Sequence, residues 1–173
     1  SSPDNSVYVF IDNSNLFIEG SKIVSRLENV NVCDNKQPNF LDFYVDHGQL
    51  VMTVLHGRKM SSAFVIGSVP PPNDTLWDRA RSYGCEVKTY QRNASNKEKK
   101  VDTKLVCRAM RSILTKNHST LLLVAGDSDY CPLIEEAREE NWNIETWFWD
   151  GTNLPYFSTG MSSELRNISS YVP

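Results

Sequence analysis

The stretch LLLVAGDSDYCPLI, residues 121–134, passes from an apolar run through a glycine and two aspartates into a second apolar stretch. TLLLVAG (120–126) is apolar at consecutive positions, which predicts a strand buried on both faces. Pro132 suits the first turn of a helix, so we expect a helix to begin near Asp129. A buried strand that leads directly into a helix is the unit from which α/β folds are built, and Asp127 and Asp129 lie at this junction.

Strand-like and helix-like stretches alternate along the rest of the chain. Further strands are predicted at VYVFID (7–12), SAFVIGS (62–68), CEVKTYQR (85–92) and NIETWFW (143–149). Helices are predicted at residues 15–29, 48–59, 74–84 and, most clearly, at VDTKLVCRAMRSILTK (101–116), whereas NASNKEKK (93–100) is typical of a loop. We therefore predict an α/β fold with a parallel sheet of about five strands sandwiched between helices.

Length and composition favour one globular domain over residues 1–173, since 40% of the residues are hydrophobic. Residues 30–46 have no clear period and are interpreted as a loop insertion, and residues 151–173 as a C-terminal tail. No stretch approaches the ~18 apolar residues of a membrane helix. The four cysteines lack CxxC spacing and no signal peptide is visible, so we expect an intracellular protein, cytoplasmic or nuclear, without a membrane partner.

Acidic residues follow two of the predicted strands. Asp12 ends the first strand, Asp127 and Asp129 follow the fourth, and Asp102 starts the clearest helix. Ligands of parallel α/β sheets bind at the carboxyl ends of the strands, so we expect these carboxylates to converge if the first and fourth strands are neighbours. Two carboxylates ~4 Å apart repel by about 4 kcal/mol at an effective dielectric near 20. A cation among them would remove that cost, and oxygen ligands favour Mg²⁺ or Mn²⁺.

Each of these residues also has an ordinary structural interpretation. Asp12 could form a turn, Asp102 could cap its helix, and Asp127 and Asp129 could be a turn and an N-cap. Ser128 could equally be a turn or cap residue. The side chain of Asn15 could cap the first helix or orient Asp12. None of these interpretations explains why the acidic residues should converge.

Basic residues surround Asp102 in sequence. They are Arg92, Lys97, Lys99, Lys100 and Lys104. The net charge of −3 gives no sign of nucleic-acid binding, so any such surface must be local. The basic stretch is either a solvated loop or a set of contacts to phosphates. Tyr90, Tyr130, Trp147 and Trp149 could stack on bases or pack in the core.

Other chemistries lack their motifs. The chain has no P-loop, no dinucleotide-binding GxGxxG after the first strand, no GxSxG elbow and no HExxH. His47, His56 and His118 suit neither a zinc cluster nor a catalytic triad.

Three segments resemble the signature blocks of the NYN domain, a branch of the PIN-like nucleases that includes the LabA-like proteins. They are VFIDNSNLF, KKVDTKLVCRAM and LLLVAGDSDYCPLIEEAREENWNIE, in the order and spacing of the family. The resemblance covers residues 7–29 and roughly 62–149. It implies a PIN-like, Rossmann-like fold and a ribonuclease dependent on Mg²⁺ or Mn²⁺. Its site would be Asp12, Asp102, Asp127 and Asp129, with Asn15 and Ser128 in support.

The leading hypothesis is thus a metal-dependent endoribonuclease acting on single-stranded RNA. Asp12, Asp127 and Asp129 would bind the metal, Asp102 would complete the cluster or orient the attacking water, and the 92–104 stretch would guide the RNA. Self-association or attachment to further RNA-binding domains is a further expectation. One alternative is an RNA-binding module with a weak or inactive site, occluded by the insertion. Another is a phosphatase or nucleotidase, although the D-x-D arrangement of many such enzymes is missing after the first strand.

Overall fold

A six-stranded sheet forms the centre of the protein in the computed structural model, which describes residues 6–16, 46–69, 74–91, 97–148 and 170–172. The strand order is β3-β2-β1-β4-β5-β6, and every neighbouring pair is parallel. The strands are β1 (Ser6–Asp12), β2 (Lys59–Val69), β3 (Cys85–Gln91), β4 (Thr120–Val124), β5 (Asn143–Trp147) and β6 (Ser170–Val172). The predicted α/β fold and its five strands are confirmed, and β6, from the tail, adds a sixth.

Four helices within the described residues cover the sheet. They are α1 (His47–Leu55), α2 (Asp74–Ser82), α3 (Lys97–Thr115) and α4 (Cys131–Glu139), and a 3-10 turn (Ser128–Tyr130) precedes α4. Residues 13–16 are also helical and follow β1 directly. Helix α1 packs on α2, and α3 packs on α4. None of the helices in the described part of the chain has the length and apolar composition needed to span a bilayer.

The apolar run from which the fold was predicted forms β4, one of the central strands of the sheet. Leu121, Leu122 and Leu123 of β4 are all fully buried, and so are Val9 and Ile11 of the neighbouring β1. Successive side chains of a strand point to opposite faces, so consecutive burial requires cover on both faces of the sheet. The helices provide that cover.

The start of α3 differs from the prediction. The helix begins at Lys97, so residues 97–100 are helical and not part of a loop. Lysine and glutamate are good helix formers, but such a charged segment carries no apolar periodicity to reveal it. Asp102 therefore lies inside α3, in its second turn, and is not the N-cap that the sequence allowed.

The observed ends of several other helices and strands differ from the predicted ends. Helix α1 ends at Leu55, since His56 (φ 48°) and Gly57 (φ 74°) adopt left-handed conformations that stop a helix. Strands β4 and β5 end two residues earlier than predicted, whereas β2 is longer at both ends. Residues 17–45, which include nearly all of the predicted insertion, and Arg92, Trp149 and most of the tail lie outside the described residues.

Candidate metal centre

The carboxyl ends of β1 and β4 are joined at one edge of the sheet. The strands are neighbours, with Ile11 paired to Val124. Beyond them, the Gly126 backbone N–H donates to Asn15 Oδ1 at 2.8 Å, and the Asn15 backbone N–H donates to Asp12 Oδ1 at 3.1 Å. Asp12 therefore acts as an N-cap for the helical residues after β1, while the Asn15 side chain holds the end of β4.

Three carboxylates meet at this edge. One oxygen each from Asp102, Asp127 and Asp129 lies within 4.8 Å of the other two. Asp102 and Asp127 are half-buried and Asp129 is exposed. The Asp129 backbone N–H donates to Asp127 Oδ1 at 2.9 Å, a local turn that brings the two aspartates to the same side. Ser128 begins the 3-10 turn that follows Asp127 and contains Asp129. The Ser128 carbonyl accepts the N–H of Cys131.

Asp12 lies behind this cluster rather than in it. Its side chain is almost fully buried, with 2% of the residue exposed. The Tyr130 hydroxyl donates to Asp12 Oδ2 at 2.7 Å and lies 3.1 Å from Asp102 Oδ1. Asp12 is therefore linked to the three-carboxylate cluster through Tyr130 and Asp102.

Burial and mutual repulsion control the charge of this group. The pKa of Asp12 is raised, chiefly by burial, even though hydrogen bonds from Asn15 and Tyr130 oppose the shift. Burial, and then the charge of Asp12, raise the pKa of Asp102 to about 7. The pKa of Tyr130 is raised by burial and by both carboxylates, so its hydroxyl remains a donor. At neutral pH, without a cation, the Asp12 and Asp102 pair therefore retains a proton.

The cluster fits a hard divalent cation. All three groups offer carboxylate oxygens, the donors that Mg²⁺ and Mn²⁺ prefer. The raised pKa of Asp102 reflects an unfavourable negative charge, which a cation would offset. Asp102, Asp127 and Asp129 are thus the residues that could hold such an ion directly.

Two of the predicted basic residues, Lys100 and Lys104, do not lie beside Asp102 in space. Residues two apart on a helix point about 160° away from each other, so Lys100 and Lys104 lie on the opposite side of α3 from Asp102. Arg108, one turn further along the same row, pairs with Glu86 of β3. This basic row therefore runs along the β3 side of the helix. Lys97 and Lys99 belong to the first turn of α3.

Strand β3 carries a lysine and an aromatic ring on the side of α3 along which the basic row runs. Lys88 Nζ lies 5.4 Å from the centre of the Tyr90 ring, and Tyr90 is half-buried. Tyr90 therefore keeps an accessible surface, whereas Tyr130 is fully buried and cannot stack on a base. The prediction of a possible base contact at Tyr130 was wrong, because its position in the turn did not reveal that its ring lies in the core.

A buried histidine, His47, lies next to the acidic residues in a structural role that the sequence did not indicate. The Nε2 atom of His47 lies 2.7 Å from Asn13 Oδ1, and its ring stacks on Trp77 with the centroids 5.8 Å apart. Burial lowers the pKa of His47 to about 4, so the ring is neutral at pH 7, and a proton on Nε2 would let it donate to the Asn13 oxygen. Asn13 directly follows Asp12, so this contact anchors the end of β1 to α1 and α2. No short-range sequence signal connects residues 34 positions apart.

The comparisons with known proteins agree with this arrangement. The family model described as the NYN domain matches residues 6–153 of the chain. A search of curated proteins gave no match. The matched span includes β1 to β5, and with them all four aspartates of the site.

Proposed function

The chain belongs to the NYN domain family, a branch of the PIN-like nucleases, and we propose that it is an endoribonuclease dependent on Mg²⁺ or Mn²⁺. The observation that carries the proposal is the approach of three carboxylates to within 4.8 Å at the carboxyl ends of the central strands. The proposed substrate is single-stranded RNA. We also propose that residues 1–173 form a single domain, of which the family match covers residues 6–153.

The four acidic residues have two different roles in this proposal. Asp102, Asp127 and Asp129 would hold the ion. When bound, such an ion acts as a Lewis acid on the phosphodiester and lowers the pKa of a coordinated water. The hydrogen bond from the Asp129 N–H fixes the direction of the Asp127 carboxylate. Asp12 would not hold the ion itself and would support the cluster through the hydrogen bond that it accepts from Tyr130.

The basic row along α3 supports RNA as the substrate. Lys100 and Lys104 lie on the β3 side of the helix, and β3 itself carries Lys88 and Tyr90. Lysines can bind the phosphates of a single strand while an aromatic ring stacks on a base. The acidic cluster lies on the other side of the same helix, so the RNA would cross the amino end of α3 to reach Asp102.

Cleavage by matched variants tests the proposal. We would incubate end-labelled single-stranded RNA with Mn²⁺ and the wild type, Asp129→Asn or Asp78→Asn. Loss of a supporting residue already costs ~10–100-fold at metal sites, so loss of the Asp129 ligand is expected to reduce cleavage by at least about 100-fold. Asp78→Asn should cleave as the wild type does, because Asp78 is an exposed residue of α2 that pairs with Arg81.

Other results would point to the alternatives. Equal cleavage by the wild type and Asp129→Asn would contradict the proposed site. RNA binding by the wild type without cleavage at any Mn²⁺ concentration would indicate an RNA-binding module of the same fold. Release of inorganic phosphate from mononucleotides, with RNA left intact, would indicate a phosphatase.

A further inference from the structure

Tyr130 occupies a special position among the acidic residues. Its hydroxyl lies between two carboxylates from different elements, 2.7 Å from Asp12 Oδ2 on β1 and 3.1 Å from Asp102 Oδ1 on α3. The residue has no exposed surface. The residue before it, Asp129, belongs to the three-carboxylate cluster. Tyr130 thus connects the strand end, the long helix and the turn at one point.

The hydroxyl contributes something that the ring does not. A phenylalanine would fill the same space in the core, but it would offer no donor to either carboxylate. A phenolic hydroxyl has one proton to donate and can also accept a hydrogen bond. With the hydroxyl removed, Asp12 would keep only the hydrogen bond from the Asn15 N–H and the proton that it shares with Asp102, and the donor that fixes Asp12 Oδ2 and lies beside Asp102 Oδ1 would be lost.

We propose that Tyr130 is a positioning residue that holds Asp12 behind the metal cluster and orients Asp102 toward Asp127 and Asp129. The inference rests on the metal site of the proposed function, but not on RNA being the substrate. In this role Tyr130 does not contact the ion or the RNA. It acts through the two carboxylates, as the hydrogen-bonded outer partners of metal ligands do.

Direct measurement of metal binding tests this role. Mn²⁺ affinity would be measured by calorimetry and by the electron paramagnetic resonance signal of free Mn²⁺ for the wild type, Tyr130→Phe and Tyr8→Phe. Outer partners of metal ligands contribute ~10–100-fold in affinity, so Tyr130→Phe should bind Mn²⁺ that much more weakly. Tyr8→Phe removes a hydroxyl from β1 but leaves the acidic group untouched, and its affinity should not change.

Cleavage measured on the same samples separates positioning from a general loss of structure. Excess Mn²⁺ should restore much of the activity of Tyr130→Phe, since its ligands are all present. Circular dichroism should show the same fold as the wild type. If Tyr130→Phe binds Mn²⁺ within twofold of the wild type, the positioning role is wrong, whether or not the wild type cleaves RNA.

The remaining outcomes are also decisive. Weaker Mn²⁺ binding by Tyr130→Phe, with no cleavage of RNA by the wild type, would support the positioning role and overturn the proposed activity. No Mn²⁺ binding by the wild type would overturn both. If Tyr130→Phe does not fold, wild-type protein labelled at tyrosine ¹³Cζ would be titrated with Mg²⁺ instead. The Tyr130 resonance, assigned with Tyr→Phe variants at the other positions, should then shift, and a resonance that does not move would overturn the role.

Discussion

Replacing Asp102 with asparagine should stabilise the metal-free protein at pH 8. Burial and the charge of Asp12 raise the pKa of Asp102 from its ordinary value of 3.8 to about 7. The folded state therefore disfavours the ionised carboxylate. The contribution of Asp102 to stability is therefore greatest below pH 3.8, falls as the pH rises toward 7, and is constant above that. Asparagine has nearly the same shape and no charge, so the variant should not show this loss.

The size of the effect follows from the shift. The difference between 3.8 and about 7 corresponds to about 4 kcal/mol if it is fully expressed at pH 8. Water screens the exposed side of this half-buried carboxylate, so we expect ~1–2 kcal/mol. At pH 5 the pH has passed only about a third of the interval between the unfolded and folded pKa values of Asp102. The free-energy advantage of Asp102→Asn over the wild type should therefore be about a third of its value at pH 8.

Urea unfolding in EDTA, at pH 5 and pH 8, measures this difference. With a urea slope of ~2 kcal/mol/M, the midpoint of Asp102→Asn should lie roughly 0.5–1 M above that of the wild type at pH 8. Saturating Mn²⁺ should reverse the order, because a ligand at 100 times its Kd stabilises the wild type by about 2.7 kcal/mol. Asp78→Asn serves as the control. If Asp102→Asn is no more stable than the wild type at pH 8 in EDTA, the carboxylate is not under electrostatic strain and the reasoning fails.

Two further substitutions test the scaffold around the centre. Gly67→Ala should lower the free energy of unfolding by ~1–3 kcal/mol, because the new Cβ would lie 2.8 Å from the Trp77 ring and 3.3 Å from Asn13 Cβ. An unchanged midpoint of urea unfolding would contradict this packing. Arg58→Met should cost ~1–3 kcal/mol at pH 7, since it leaves the partly buried Glu145 without its bidentate partner. Burial acts to raise the pKa of Glu145, but the hydrogen bonds and charge of Arg58 outweigh it and the pKa is lowered. The cost of Arg58→Met should therefore shrink as the pH falls from the ordinary glutamate pKa of 4.5 through the lowered pKa of Glu145, and a cost that does not depend on pH would rule out the ion pair as its source.

The fold class, and the edge of the sheet at which the acidic residues lie, could be predicted from the order of residues along the chain. Apolar runs such as 121–124 require cover on both faces, and strands that alternate with helices give a parallel sheet. The carboxyl ends of parallel strands all lie at one edge. Residues at or just beyond the carboxyl ends of β1 and β4, such as Asp12 and Asp127, therefore share that edge, and the pairing of β1 with β4 in the structure brings them near one another.

The arrangement of these side chains at that edge depends on tertiary packing and could not be predicted in the same way. The sequence did not distinguish Asp12, which is buried against Tyr130, from Asp129, which is exposed in the cluster. It also did not show that Lys100 and Lys104 lie on the far side of α3 from Asp102. Chain order determines which residues share an edge, because strand direction is fixed by connectivity. The oxygens that meet, and the protons they retain, depend on how the helices and the turn pack together, and that is a property of contacts between residues far apart in sequence.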